Sequence, residues 1–240
     1  MSGDDNRSSL PTNSAVDAFL AELATKPLPA RTGDRPRLIF SLDATLSRQP
    51  TWDMAVTFQA DMLRTAHDVG GLLLKTMFFR GLGELRQSDW TSDGASLAKK
   101  MAKVRCRGGR TQIARLFKQA LKDASTSPVR ALVFIGDAME ENPDTIADAA
   151  GRLAAFGVPI YCFQEGQDTL ARPVFQDVAR ISRGAYFQFD EASAATLARL
   201  LNAVAVYAAG GRAALEARAG HDAGARQLVA QLPEDTKKGR

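Results

Sequence analysis

The chain has 240 residues, 45% hydrophobic and 24% charged, with a formal net charge of +4. That is an ordinary globular balance, with enough apolar residues for one sizeable core. No stretch reads as a transmembrane span, because Leu72-Leu73-Leu74 is cut by Lys75 and 203–209 is too short. The N-terminus carries Asp4, Asp5 and Arg7 and no apolar signal region, so a cytoplasmic protein is expected. Cys106 and Cys162 lack metal-ligand spacing and read as two reduced thiols.

In chain order, residues 1–14 are polar and expected to be disordered. Residues 15–34 follow as a short amphipathic helix, Val16 to Ala24, and a linker punctuated by Pro27, Pro29, Gly33 and Pro36. Strands and helices then alternate. Arg37 to Leu42 is an apolar strand, and Trp52 to Val69 has helical spacing. Gly71 to Phe79 is a strand, and Glu84 to Trp90 a short edge strand. Ser96 to Val104 and Gln112 to Ala124 read as helices, and Val129 to Ile135 as a buried strand. Asn142-Pro143 supplies a cap and a first-turn proline for the next helix, which Gly157 ends. Val158 to Phe163 is a strand, Pro173 to Ser182 a helix, Ala185 to Phe189 a strand and Ala192 to Ala208 a long helix. The tail, 210–240, is rich in Ala, Gly and charge and reads as helical or mobile.

Buried strands alternating with helices predict an α/β domain over 35–209. Its sheet is doubly wound and mostly parallel, with helices on both faces and one antiparallel edge strand. In such sheets ligands bind beyond the carboxyl ends of the strands, at the switch point of strand order. Asp43 and Asp137 each follow an apolar strand, and Thr111 lies in a Gly-Gly-Arg-Thr loop. With Thr45 and Ser47 they form a set of two carboxylates and three hydroxyls. An all-oxygen set suits a hard divalent cation such as Mg²⁺ (or Mn²⁺) rather than zinc. Taken singly, each piece has an ordinary reading: Asp43 to Ser47 as a turn, and Thr111 as a helix N-cap. Only their combination points to a metal.

The order of these pieces resembles the von Willebrand factor type A (VWA) family and its metal-ion-dependent adhesion site. That site has an Asp-x-Ser-x-Ser motif, then a distant Thr and a distant Asp. Asp43, Thr45 and Ser47 match the first piece, with Thr in place of the usual Ser. Thr111 and Asp137 match the others, and Ala138 stands where the family usually has Gly. Residues 156–161 and 178–187 are similar to the family's approaches to its last two strands. The resemblance implies that Thr45, Ser47 and Thr111 ligate directly, and that Asp43 and Asp137 ligate directly or through water. It also implies that a carboxylate from a protein partner completes the metal's shell. Intracellular members often act as adaptors for AAA-type ATPases or in multiprotein assemblies, so an adaptor without catalysis of its own is the expected function.

Lys99, Lys100, Lys103, Arg105, Arg107, Arg110, Arg115 and Lys118 fall in a stretch without an acidic residue. We expect Arg105, Arg107 and Arg110, beside Thr111, to steer an acidic partner towards the ion. The same 99–118 segment offers a second reading, nucleic-acid association. A third is a Mg²⁺-dependent haloacid-dehalogenase-like phosphatase, since 134–141 resembles its Gly-Asp-x-x-x-acid motif. That family needs a second Asp where Thr45 stands, and a Thr cannot serve as the general acid.

Overall fold

The computed structural model describes residues 35–48 and 72–190, together with helical positions 199, 202–206, 208, 214 and 217. The expectations for 1–34, for the helix at Trp52 to Val69 and for most of the tail lie outside the described residues.

Six strands form one sheet: β1 (Arg37–Asp43), β2 (Leu73–Arg80), β3 (Glu84–Gln87), β4 (Ala131–Gly136), β5 (Ile160–Glu165) and β6 (Ala185–Phe189). Their spatial order is β3-β2-β1-β4-β5-β6. All neighbours are parallel except β2 and β3, which form an antiparallel hairpin at one edge. The helices are α1 (Gly94–Met101), α2 (Ile113–Thr126), α3 (Pro143–Ala155) and α4 (Ala171–Ser182). The expected architecture is therefore present, including the antiparallel edge.

The two faces of the sheet carry separate cores. Leu38, Phe40 and Leu42 of β1 pack with Leu97 and Met101 of α1 and with Val204 to Val206 of the C-terminal helical residues. Ile39 points the other way and packs with α2, α3 and α4 through Phe117, Leu153 and Phe175. This alternation is the period-two consequence of a strand covered on both sides. Phe134 sits at the centre of the second core, edge-on to Phe117 and Phe175 at centroid distances of 5.9 and 5.4 Å.

Of the central strands, β4 is wholly apolar and β1 is apolar but for Arg37, Ser41 and Asp43, in keeping with parallel strands buried on both faces. β2 breaks the pattern with Lys75, which is buried. Its ammonium meets the Asp123 carboxylate of α2 at 2.6 Å and lies over the Trp90 ring. Burying that charge is tolerable because it is paired. The helix termini follow their local signals. Asn142 caps α3 by accepting the Asp144 N–H at 2.8 Å, Pro143 occupies the first turn, and Gly157 leaves the helix with φ of +71°.

Chain order runs from β1 outward to β2 and β3, then returns to β4 on the other side of β1. The switch of direction thus falls between β1 and β4, and in sheets of this kind ligands bind beyond the strand C-termini at that point.

Candidate metal site at the switch point

Asp43 is the last residue of β1, and Asp137 follows directly on β4. The two strands are neighbours in register, Leu42 opposite Ile135, so the carboxylates emerge side by side. Asp43 is fully buried. Its Oδ1 accepts the Thr45 backbone N–H at 2.7 Å, which folds the chain back over the strand end. Thr45 and Ser47 then bring their hydroxyl oxygens within 3.1 Å of each other. The β-branch of Thr45 is thus compatible with placing its oxygen beside that of Ser47.

The charges in this crevice are poorly solvated. Burial pushes the Asp43 carboxyl up from 3.8 to about 7, the Thr45 hydrogen bonds counter that in part, and the nearby Asp137 charge adds to the rise. Asp43 Oδ2 and Asp137 Oδ1 are both buried with no hydrogen-bond partner among the described residues. Unsatisfied buried carboxylate oxygens are costly, so two on adjacent strand ends call for a compensating group. The donors available are carboxylates and hydroxyls, which fits a hard cation and not a soft one. Cys106 lies close enough to feel both carboxylates, and burial pushes its thiol up to about 11; a soft sulfur is in any case a poor match for a hard cation. Among the described residues there is no cluster of three or more His, Cys, Asp or Glu that could hold a metal, so hydroxyls must complete any ligand set here.

Thr111 is buried in the loop before α2 and is fixed by a reciprocal pair. Its Oγ1 accepts the Glu140 N–H at 3.0 Å, and its own N–H donates to the Glu140 carboxylate at 3.1 Å. Thr111 is therefore tied to the loop that carries Asp137. It is not the helix cap: Gln112 occupies the N-cap position without a side-chain bond. The capping falls to Glu141, whose carboxylate accepts the N–H groups of Ile113 and Ala114, the latter at 3.0 Å. Sequence reasoning missed Glu140 and Glu141 in these roles, because a cap supplied from another loop leaves no local spacing signal.

Arg48 is a third residue it missed. It ends a 3₁₀ turn, Leu46–Arg48, and is fully buried. Its guanidinium meets Glu165 at the end of β5 at 2.8 Å. The pair anchors the Asp43–Ser47 loop across the strand ends, and the Arg48 charge acts to hold down the Asp43 carboxyl.

The three arginines expected to face a partner lie in the loop between α1 and α2. Arg105, Arg107 and Arg110 are all exposed. Arg107 is fixed beside the set: its N–H donates to the Ala44 carbonyl at 3.1 Å, forming a bridge with Thr45. Its side chain leans to Glu84 at 3.3 Å. Arg80 and Arg86 also meet Glu84, and together these cations hold its carboxyl well below the usual range. Gly109 packs against the β2–β3 turn so closely that a Cβ there would stand 1.9 Å from the Gly81 carbonyl oxygen. The 99–118 basic run is divided by the sheet. Lys99 and Lys100 ride on α1 over one face, and Arg115 and Lys118 on α2 over the other.

No protein-family sequence model matches the chain, and comparison with curated proteins gave no match. Solved structures do match. A von Willebrand factor type A protein from Catenulispora acidiphila aligns with a TM-score of 0.59 and 18% identity, over 75% of this chain and 44% of that one. The pilus adhesin SpaC from Lactobacillus rhamnosus GG aligns with a TM-score of 0.59 and 12% identity, over 73% and 30% of the two chains. The SpRpn10 VWA domain aligns with a TM-score of 0.56 and 12% identity, over 69% and 93%. The chain thus spans less than half the length of the first two. At these identities the likeness is one of fold, and the fold of this chain is that of a von Willebrand factor type A domain.

Proposed function

We propose that this is a metal-dependent protein-binding domain. Mg²⁺ (or Mn²⁺) would be held at the β1/β4 switch point by Asp43, Thr45, Ser47, Thr111 and Asp137. Two carboxylates only balance the ion's charge and hydroxyls add none, so the ion stays electrophilic and takes a carboxylate from a protein partner. The observation that carries the reading is the pair of buried, unpartnered carboxylate oxygens, Asp43 Oδ2 and Asp137 Oδ1, on adjacent strand ends. The VWA fold and the adhesin among its structural neighbours support a binding role. We infer an adaptor in the cytoplasm, joined to an AAA-type ATPase or another multiprotein assembly, with Arg105, Arg107 and Arg110 drawing the acidic partner in. Thr45 in place of a second Asp speaks against phosphatase chemistry.

The test is capture of lysate proteins by wild type in Mg²⁺, by wild type in EDTA and by Asp43→Ala in Mg²⁺. A partner kept only by wild type in Mg²⁺ supports the reading. The same partners in all three would sink it. Phosphatase activity lost in Asp43→Asn would favour the rival enzyme.

A further inference from the structure

We infer that the open edge of β3, backed by the basic face of α2, docks an acidic extended segment of a partner protein by strand addition. This site is separate from the proposed metal centre and needs no metal.

β3 is the outermost strand and pairs only with β2 among the described residues. The Ser88 N–H donates to the Thr76 carbonyl at 2.9 Å. Backbone groups along an antiparallel ladder alternate in direction, so Arg86 and Glu84 also face β2. The N–H and C=O groups of Leu85 and Gln87 therefore face outward, and an open row of this kind accepts another strand.

Behind the edge lies a groove of about 290 Å³, lined by Leu85, Gln87, Arg115, Lys118, Gln119 and Lys122. Its charge is uncompensated. Asp123, the acid on the same helix, is committed to Lys75 at 2.6 Å, and Glu84 is committed to Arg80, Arg86 and Arg107. No carboxylate among the described residues pairs with Lys118 or Lys122. Leu85 packs into the core beneath α2, and Gln87, two residues on, shares that face. An added strand would likewise turn every second side chain towards α2, over the cations. The site thus selects acidic residues at alternate positions. A second copy of this basic edge would be repelled.

Fluorescence anisotropy with the full chain and a fluorescein-labelled peptide of alternating Glu and Thr tests this. Saturable binding that persists in EDTA is expected. The double variant Lys118→Glu/Lys122→Glu should weaken it by about tenfold or more. Gln87→Pro removes an outward N–H and leaves the ladder to β2 intact, so it should weaken binding while circular dichroism shows the fold retained. If that variant does not fold, a peptide N-methylated at alternate amides reports the same contact from the other side. No binding overturns the proposal, as does binding indifferent to both backbone changes. Loss in EDTA would assign the peptide to the metal centre instead. Tighter binding of an oligo-dT of equal charge would assign the face to nucleic acid.

Discussion

At the proposed metal site, Asp43 would couple a proton to the ion. Its carboxyl is raised to about 7 chiefly by burial, so between its unfolded value of 3.8 and 7 the folded state binds more protons than the unfolded chain. In the metal-free protein this contribution to stability is therefore full at low pH and is lost as pH rises through that window, by an amount on the order of a few kcal/mol. Asp43→Asn removes the group that must ionise. It should stabilise the metal-free fold at pH 8 and flatten the pH dependence of urea denaturation between pH 4 and pH 7. A variant that loses stability at pH 8 would mean that the carboxylate is satisfied without metal. Mg²⁺ needs the deprotonated form, so wild-type affinity, read by titration calorimetry, should fall towards tenfold per pH unit below about 7.

The loop after β4 serves two elements at once. Glu140 fixes Thr111, and Glu141 accepts the first N–H groups of α2, so the loop bearing Asp137 is fastened to the helix start. Glu141→Ala should cost about 1–2 kcal/mol in chemical denaturation, the size of a lost helix cap. It should also weaken Mg²⁺ binding, because one of the two ties between the helix start and the loop bearing Asp137 would be lost, leaving only the Glu140–Thr111 pair. Unchanged stability would mean that solvent replaces the cap without loss. How much of this was legible in the sequence follows from range. The strands were legible from their apolar runs, and β6 matches its expected bounds. Asp43 and Asp137 were legible because their place follows from where strands end. Glu141 as a cap and Arg48 paired with Glu165 were not, since each depends on a contact between loops distant in sequence. The division of the basic run was not legible for the same reason. Residues 99–118 are contiguous in sequence, yet α1 and α2 cover opposite faces of the sheet.

At the scale of the molecule, β1 and β4 end side by side at Asp43 and Asp137, and the Thr111 loop is tied to the loop after β4, so that metal binding at the proposed site would form one equilibrium with folding. The unfolded chain has no reason to hold these oxygens together, so an ion that binds the crevice stabilises only the native state. At a Mg²⁺ concentration of about 100 times the dissociation constant the gain is about 2.7 kcal/mol. For a chain of this size that corresponds to a rise in melting temperature of roughly 5–10 °C. The rise should vanish in EDTA and in Asp137→Asn, whose metal-free melting point should be no lower than that of the wild type. That last condition separates a lost metal from a damaged fold, because Asp137 Oδ1 has no protein partner to lose among the described residues. A shift of equal size in wild type and Asp137→Asn would place the stabilising ion elsewhere and remove the physical basis for a metal-bridged partner. Ca²⁺ should give a smaller shift than Mg²⁺ or Mn²⁺. With each carboxylate giving one oxygen, two carboxylates and three hydroxyls supply five protein oxygens, and Ca²⁺ takes six to eight at longer distances.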